Sequence, residues 1–267
     1  MHDYHVHTHY CRHATGRLEE YARAARRRGL AEICFTPHIP LPVFRPGAYD
    51  GQLRMDPEEF PRFLREVEET RVRVPGLVIL AGVEADYVAG TEPYLEKFLS
   101  DYPLDFVLMS VHFVREWPDP RWVFDFSGDE RPLARIYDDY LAAVHRGVQT
   151  ALFDCVAHLD LIKQPGFPLE ETHAEKIDAI IRDCLRRGMS AEVNMSGARK
   201  PIGEPYPSDA IVARMRSLGL PLVPASDAHS PPQVGSGLDS LEGFPLVRYR
   251  QRRMVDARLD ALPAAGA

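Results

Sequence analysis

Seven short apolar runs, separated by longer amphipathic stretches, leave this chain few ways to fold. HDYHVH, EICFTPH, LVILAGVEADY, FVLMSVHF, DCVAHLD, SAEVNMS and PLVPASDAH read as strands. Between them, LEEYARAARRRG, DPEEFPRFLREVEETRVR, TEPYLEKFLSDY, PLARIYDDYLAAVHRG, LEETHAEKIDAIIRDCLRRG and PSDAIVARMRSLG carry helical periodicity. Each parallel strand pair needs a crossover, so this alternation predicts a parallel sheet or barrel, one domain across residues 1–267. Asp56 and Thr91 are expected N-caps, and Gly29, Gly147, Gly188 and Gly219 expected helix stops. Segments 40–51 and 117–131 read as long loops of the kind that shape a pocket. The stretch after about residue 244 is basic, then alanine-rich, and has no evident place.

The ends of these runs carry the chemistry. His5 and His7 close the first, His38 the second, Glu84 the third and His112 the fourth. His158 and Asp160 follow the fifth, and Asp227 and His229 follow the seventh. In an α/β barrel the carboxyl ends of all strands meet at one mouth, so residues more than 220 positions apart would converge there. One histidine at a strand end is ordinarily just hydrogen-bonded; a repeated coincidence needs another reason. Positions two apart on a strand face one side, so Asp3, His5 and His7 are expected together, the carboxylate behind two imidazoles. His145 and His173 fit exposed helix faces, and His2 and His9 stay outside the expected site. Cys11, two residues before His13, is near enough to approach a metal but is not expected to bind one.

Composition narrows the partners. The net charge is −7 with no basic stripe, which argues against a nucleic-acid backbone as ligand. The 4 cysteines are widely spaced, which argues against a zinc knuckle or a disulfide framework, and Cys34 and Cys155 read as buried thiols. No apolar run approaches a membrane span, and the polar start lacks a secretory pattern, so the cytoplasm is the expected compartment.

D-Y-H-V-H-T, then His13, F-T-P-H, G-V-E-A-D-Y, S-V-H, A-H-L-D and S-D-A-H resemble, in order, the motifs of the polymerase and histidinol phosphatase (PHP) superfamily. Within it, N-M-S-G-A-R-K-P and S-D-A-H with its Pro-rich sequel are most similar to the histidinol-phosphate phosphatases. The resemblance implies a distorted (β/α)7 barrel with two or three divalent ions (Zn, Fe or Mn) at the C-terminal ends of the strands. By matching position, one ion would take His5, His7, Glu84 and Asp227; a second would share Glu84 and add His112 and His158. A third would use His13, His38 and His229. Pro37 stands where the family usually has Asp, which bears on the support of His38.

The implied reaction is hydrolysis of L-histidinol phosphate to L-histidinol and phosphate, in histidine biosynthesis. A metal pair makes hydroxide available near neutral pH and neutralises phosphoryl oxygens, with Glu84 as the natural bridge. Asp227 or His229 is the candidate to help protonate the leaving alkoxide. Arg199, directly after SAEVNMS, and Lys163, just beyond AHLD, are candidate phosphate-binding cations, while Lys200 reads as surface charge. The expected partner is a small phosphorylated substrate, with no nucleic acid or membrane, and a homo-oligomer left open. Two other readings compete: a phosphodiesterase or nucleotidase on the same metals, and a non-catalytic metal-binding scaffold.

Overall fold

The computed structural model describes residues 1–41, 53–114, 121–126, 133–164 and 171–256. Its strands are β1 (His2–Val6), β2 (Glu32–Phe35), β3 (Val78–Asp86), β4 (Phe106–Ser110), β5 (Phe113–Val114), β6 (Arg121–Trp122), β7 (Cys155–Val156), β8 (Ser190–Asn194), β9 (Leu222–Ala225), β10 (Val247–Arg250) and β11 (Arg253–Asp256). Seven of them form a parallel sheet in the order β1-β2-β3-β4-β7-β8-β9. The sheet closes on itself: Val6 bridges Ala228, and the His7 amide donates to the Ala228 carbonyl at 2.9 Å. The expected seven-stranded barrel is present.

Helices α1 (Leu18–Arg27), α2 (Phe60–Arg73), α3 (Glu92–Asp101), α4 (Leu133–Gln149), α5 (Ala174–Arg186) and α6 (Asp209–Ser217) pack around it. Their apolar stripes, such as Leu18, Tyr21, Ala22 and Ala25 of α1, share one large core with the outward residues of the strands. A second cluster of Tyr4, Cys34, Leu80, Phe106, Leu108, Cys155, Val223 and Tyr249 contains no helix residue and fills the inside. With both faces covered, the strands are apolar runs rather than alternating ones.

Local expectations met mixed outcomes. Gly29, Gly188 and Gly219 end helices with positive φ, but Gly147 lies within α4. A Cβ there would meet Met109 Sδ at 2.6 Å, so this glycine serves close helix–sheet packing, not a stop. At Asp56 the Glu59 carboxylate reaches back to the Asp56 amide, and the α-helix starts only at Phe60. The Thr91 hydroxyl bonds the Val88 carbonyl instead of capping α3.

The register of β1 against β2 shifts between Asp3 and Val6. Tyr4 therefore turns into the barrel while Val6, two residues on, packs outside. Such a shift resets side-chain parity, and the expected alignment of Asp3 with His5 and His7 fails. Asp3 instead staples β1 to β9: Oδ1 accepts the Ser226 amide at 2.9 Å, and Oδ2 accepts the Ser226 hydroxyl and the Gly235 amide.

The stretch after residue 244 finds a place. β10 and β11 form an antiparallel hairpin across the N-terminal ends of the barrel strands. Tyr249 plugs that end, its hydroxyl donating to the Asp154 carbonyl at 2.9 Å while Ser190 Oγ lies at 2.9 Å. Residues 257–267, 42–51, 117–120 and 127–131, on which parts of the tail and loop expectations fall, lie outside the described residues. Among the described residues, no helix is long and apolar enough to cross a membrane.

Candidate metal centre

The barrel mouth gathers the strand-end residues into one buried constellation. His5 Nε2, at the end of β1, lies 3.1 Å from His7 Nε2 and 3.3 Å from Glu84 Oε2. His7 Nε2 is 3.4 Å from Glu84 Oε2 and 3.1 Å from Asp227 Oδ1. The other oxygen of Glu84, Oε1, faces His158 Nε2 at 3.0 Å and His112 Nε2 at 3.8 Å. Glu84 thus divides its two oxygens between two sets of imidazoles. His38 Nδ1 approaches Oε2 at 3.1 Å, and the rings of His13 and His229 stand 4.8 Å apart, His229 stacked on His7. Donor atoms close enough to share an ion group as His5–His7–Glu84, Glu84–His112–His158, His7–His13–His229 and His38–Asp86–His112. The third set that the resemblance implies is thus divided: His13 and His229 group with His7, and His38 with Asp86 and His112.

These side chains are held from behind. His5 Nδ1 meets Glu192 Oε2 at 2.9 Å, and the other Glu192 oxygen accepts the His158 amide and Asn194 Nδ2, each at 2.8 Å. Asn194 and the Ser196 hydroxyl also bond Asp227 Oδ2, at 3.2 and 2.9 Å, which turns Oδ1 toward the histidines. Asp86 binds His112 Nδ1 at 2.8 Å and is held by Arg54 Nη2 at 2.5 Å. Asp227 (φ 52°) and His158 (φ 22°) both occupy the left-handed region, strained backbone of the kind found at functional sites.

Protonation follows from burial and neighbours. Burial alone would push the Glu84 and Asp227 carboxyls up, but neighbouring histidines, His38 and His5 for Glu84 and His5 and His7 for Asp227, hold both well below the usual range. Burial, helped by His229, pushes His7 down to about 3 and His13 down to about 4. Burial also holds His38 well below its ordinary value. His5 goes the other way: burial opposes its charge, yet Glu192, Asp227 and Glu84 outweigh it. His112 is likewise raised against burial, by Asp86. Ionised carboxylates beside neutral imidazoles are the forms a divalent ion needs, and an ion would compete with any proton held by His5 or His112.

Do these residues fit metal? Glu84 Oε2, Asp227 Oδ1 and His38 Nδ1 are buried and have no hydrogen-bond partner among the described residues. Orphaned atoms of this kind are costly unless something else satisfies them. Donors bound to zinc in a tetrahedron at about 2.0–2.2 Å lie roughly 3.3–3.6 Å apart, close to the spacings seen here. The donor set of imidazole and carboxylate suits zinc, iron or manganese. The residues fit.

Above the cluster opens a cleft of about 350 Å³, lined by Leu53, Arg54, Trp122, Phe124, Leu161, Gln164 and Lys200 as well as the site histidines other than His5. Lys163, expected as a phosphate-binding cation, does not line this cleft. Its ammonium is buried between Asp160 (2.9 Å) and Glu204 (2.8 Å), donates to the Pro205 carbonyl, and lies over the Tyr206 ring. Arg199 donates to the Ser226 carbonyl at 2.7 Å, bracing the turn before Asp227; Lys200, read as surface charge, lines the cleft instead.

With Pro37 before it, His38 Nδ1 has no hydrogen-bond partner among the described residues. The Pro37 carbonyl accepts the Glu84 amide at 3.0 Å, and Asp86 Oδ2 lies 3.9 Å from His38 Nδ1. His145 pairs with Asp183 on the surface, as expected, while His173 is buried against Tyr137 rather than exposed. His2 and His9 stay outside the site. Glu192 was missed, although a glutamate inside an apolar strand, in phase with Asn194, was a readable signal. Asp86 was signalled by its two-residue spacing from Glu84. Arg54 had no signal.

A model of the PHP domain matches residues 3–196. The chain belongs to the PHP domain family. Over 265 residues this PHP protein is 38% identical to a protein of Deinococcus radiodurans named probable histidinol-phosphatase, covering 94% of this chain and 97% of that one. It is 29% identical over 254 residues to the histidinol-phosphatase of Bacillus subtilis, covering 87% and 95%. The histidinol phosphate phosphatase of Lactococcus lactis, solved with zinc, L-histidinol and phosphate, superposes with a TM-score of 0.77 at 20% identity, covering 96% and 98%. At that identity the likeness speaks for the fold.

Proposed function

We propose that this protein is a histidinol-phosphatase, a phosphomonoesterase that hydrolyses L-histidinol phosphate to L-histidinol and phosphate using two or three divalent ions. One observation carries the reading: Glu84 presents Oε2 to His5 and His7 and Oε1 to His158 and His112, the layout of a carboxylate shared by two ions. When bound, the ions supply a nucleophile at neutral pH and neutralise charge on the phosphoryl oxygens. The relatives of Deinococcus and Bacillus support the substrate by their names.

The protein's own residues do the rest. His5, His7, Glu84, Asp227, His112, His158, His13, His38 and His229 are the proposed ligands, with Glu192, Asn194 and Asp86 aiming them. Lys200 on the cleft wall supplies positive charge for the phosphate, with Arg199, the preceding residue, as the second candidate. His229 and Asp227 border the cleft; Asp227, being ionised, would orient a proton donor toward the leaving alkoxide, and His229 is the candidate to supply the proton. The imidazole and amine of the substrate meet the aromatic faces of Trp122 and Phe124, whose rings stand 5.6 Å apart, where a cation gains by stacking on a π-face. The proposed compartment is the cytoplasm, in keeping with cysteines that are all free and buried.

The test is phosphate release from histidinol phosphate by chelator-stripped protein, with manganese, zinc or iron added back. Metal-dependent release that prefers histidinol phosphate over nucleotides and a diester supports the reading. Turnover of only the nucleotides or the diester would replace the substrate, and metal binding without any turnover would leave a scaffold.

A further inference from the structure

Each metal-site histidine must present one ring nitrogen to the ion, and what holds the other nitrogen decides how firmly it does so. For His5 the holder is the Glu192 carboxylate. For His7 it is a sulfur: Cys11 Sγ lies 3.3 Å from His7 Nδ1. The same sulfur accepts the His38 backbone amide at 3.3 Å. The carbonyl of the same residue lies 2.5 Å from His13 Nδ1. Three histidines of the constellation, from two separate segments of the chain, are tied to one cysteine.

Local structure explains how. Residues His9–Cys11 form a short 3-10 turn that brings Cys11 back beneath His7. Arg12 then adopts φ 66°, reversing the chain so that the Cys11 carbonyl faces the His13 ring. Cys11 is fully buried, and its sulfur stands on the Nδ1 side of His7 while Nε2 points at His5, Glu84 and Asp227. Direct ligation by the sulfur would abandon two N–H donors. A neutral thiol also orients His7 without adding charge to a pocket that already holds Glu84, Asp227 and Glu192.

We infer that Cys11 is a positioning residue of the metal centre, an acceptor that fixes His7 with Nε2 free for the ion and ties His38 to the same point. This rests on the metal-site reading of the cluster. The sulfur acts only through the histidines it holds.

The test is zinc affinity of the full chain, stripped of metal and measured by competition with a chromophoric chelator, beside the unfolding temperature of the stripped protein. Cys11→Ala is expected to bind zinc about 10–100-fold more weakly with little change in that temperature. Cys11→Ser, which restores an acceptor for the same N–H groups, is expected to recover to within about threefold of the parent. Parent-like affinity in Cys11→Ala would overturn the inference, as would a serine variant as weak as the alanine variant. Should the alanine variant fail to fold, the serine variant decides alone by the same threefold criterion. A parent chain that binds no zinc would sink the metal reading itself, a different failure from an unaffected variant.

Discussion

The two ends of the barrel treat buried charge in opposite ways. At the N-terminal end, Glu32 is 1% exposed and is met by the Tyr4 hydroxyl and the Arg250 guanidinium. Asp154 nearby is met by Arg252 at 2.9 Å and by the Val107 amide at 2.8 Å. At the mouth, Glu84, Asp86, Glu192 and Asp227 are buried together, and Glu84 Oε2 and Asp227 Oδ1 find no hydrogen bond among the described residues. The floor satisfies its acids with arginines of its own chain. Apart from Asp86, which Arg54 holds, the mouth leaves acids and imidazoles facing one another, an arrangement that suits a cation from outside. One end is built for closure and the other for chemistry.

The largest effect that would break this contrast is at Glu84. Glu84→Gln keeps the shape but halves the lone-pair chemistry, and turnover should fall at least about 10³-fold, since the ions supply several kcal/mol to the transition state. Zinc per chain, measured on the purified variant, should fall as well; parent-like activity would mean that Glu84 is not shared by two ions. At the floor, Arg250→Leu strands the buried Glu32 and should cost about 3 kcal/mol, a drop of roughly 6–12 °C in unfolding temperature. Its kcat should stay at the parent value where it is folded. A loss of kcat without loss of stability would erase the distinction between the two ends.

Acid sharpens the comparison at His2, a floor residue whose Nε2 meets the Val247 carbonyl at 3.0 Å. Burial pushes its imidazole down to about 4 from 6.5. The folded protein then keeps His2 neutral while the unfolded chain takes up a proton below pH 6.5. Its contribution is therefore complete above pH 6.5 and is lost as the pH falls from there to about 4. Between pH 7 and 4, His2→Gln should lose less stability than the parent, by about 3 kcal/mol at most, as read from denaturant midpoints. Equal acid sensitivity would clear His2 of this role. The smallest effect separates two lysines. Lys200→Ala should raise KM for histidinol phosphate about tenfold, one charge-assisted contact, while Lys163→Met should leave it within about twofold. The reverse pattern would restore Lys163 as a phosphate group.

The strand ends were legible because burial and alternation are local: an apolar run that delivers His38, Glu84 or His112 as it leaves the core marks a barrel mouth wherever it occurs. The same locality explains the misses. Asp3 looked like the carboxylate behind His5 because parity was counted on an even strand, and the register shift between Asp3 and Val6 gave that place to Glu192, 187 residues away in sequence. Lys163 and Lys200 cannot be told apart by residue type. Only the neighbours Asp160 and Glu204, brought together by the loops after β7 and β8, withdraw one of them from the cleft.

Read alone, the sequence determined seven parallel strands whose carboxyl ends carry histidines and acids, because crossover helices and strand polarity put every carboxyl end on one side; the resemblance to the PHP superfamily supplied the closed barrel and the donor sets. Tertiary structure decided how those donors are aimed and paired. The division of Glu84 between two histidine sets, the backing of His5 by Glu192 and of His7 by Cys11, and the hairpin that seals the floor all depend on distances set when β1 closes against β9. Those distances join residues far apart along the chain, and no local pattern records them.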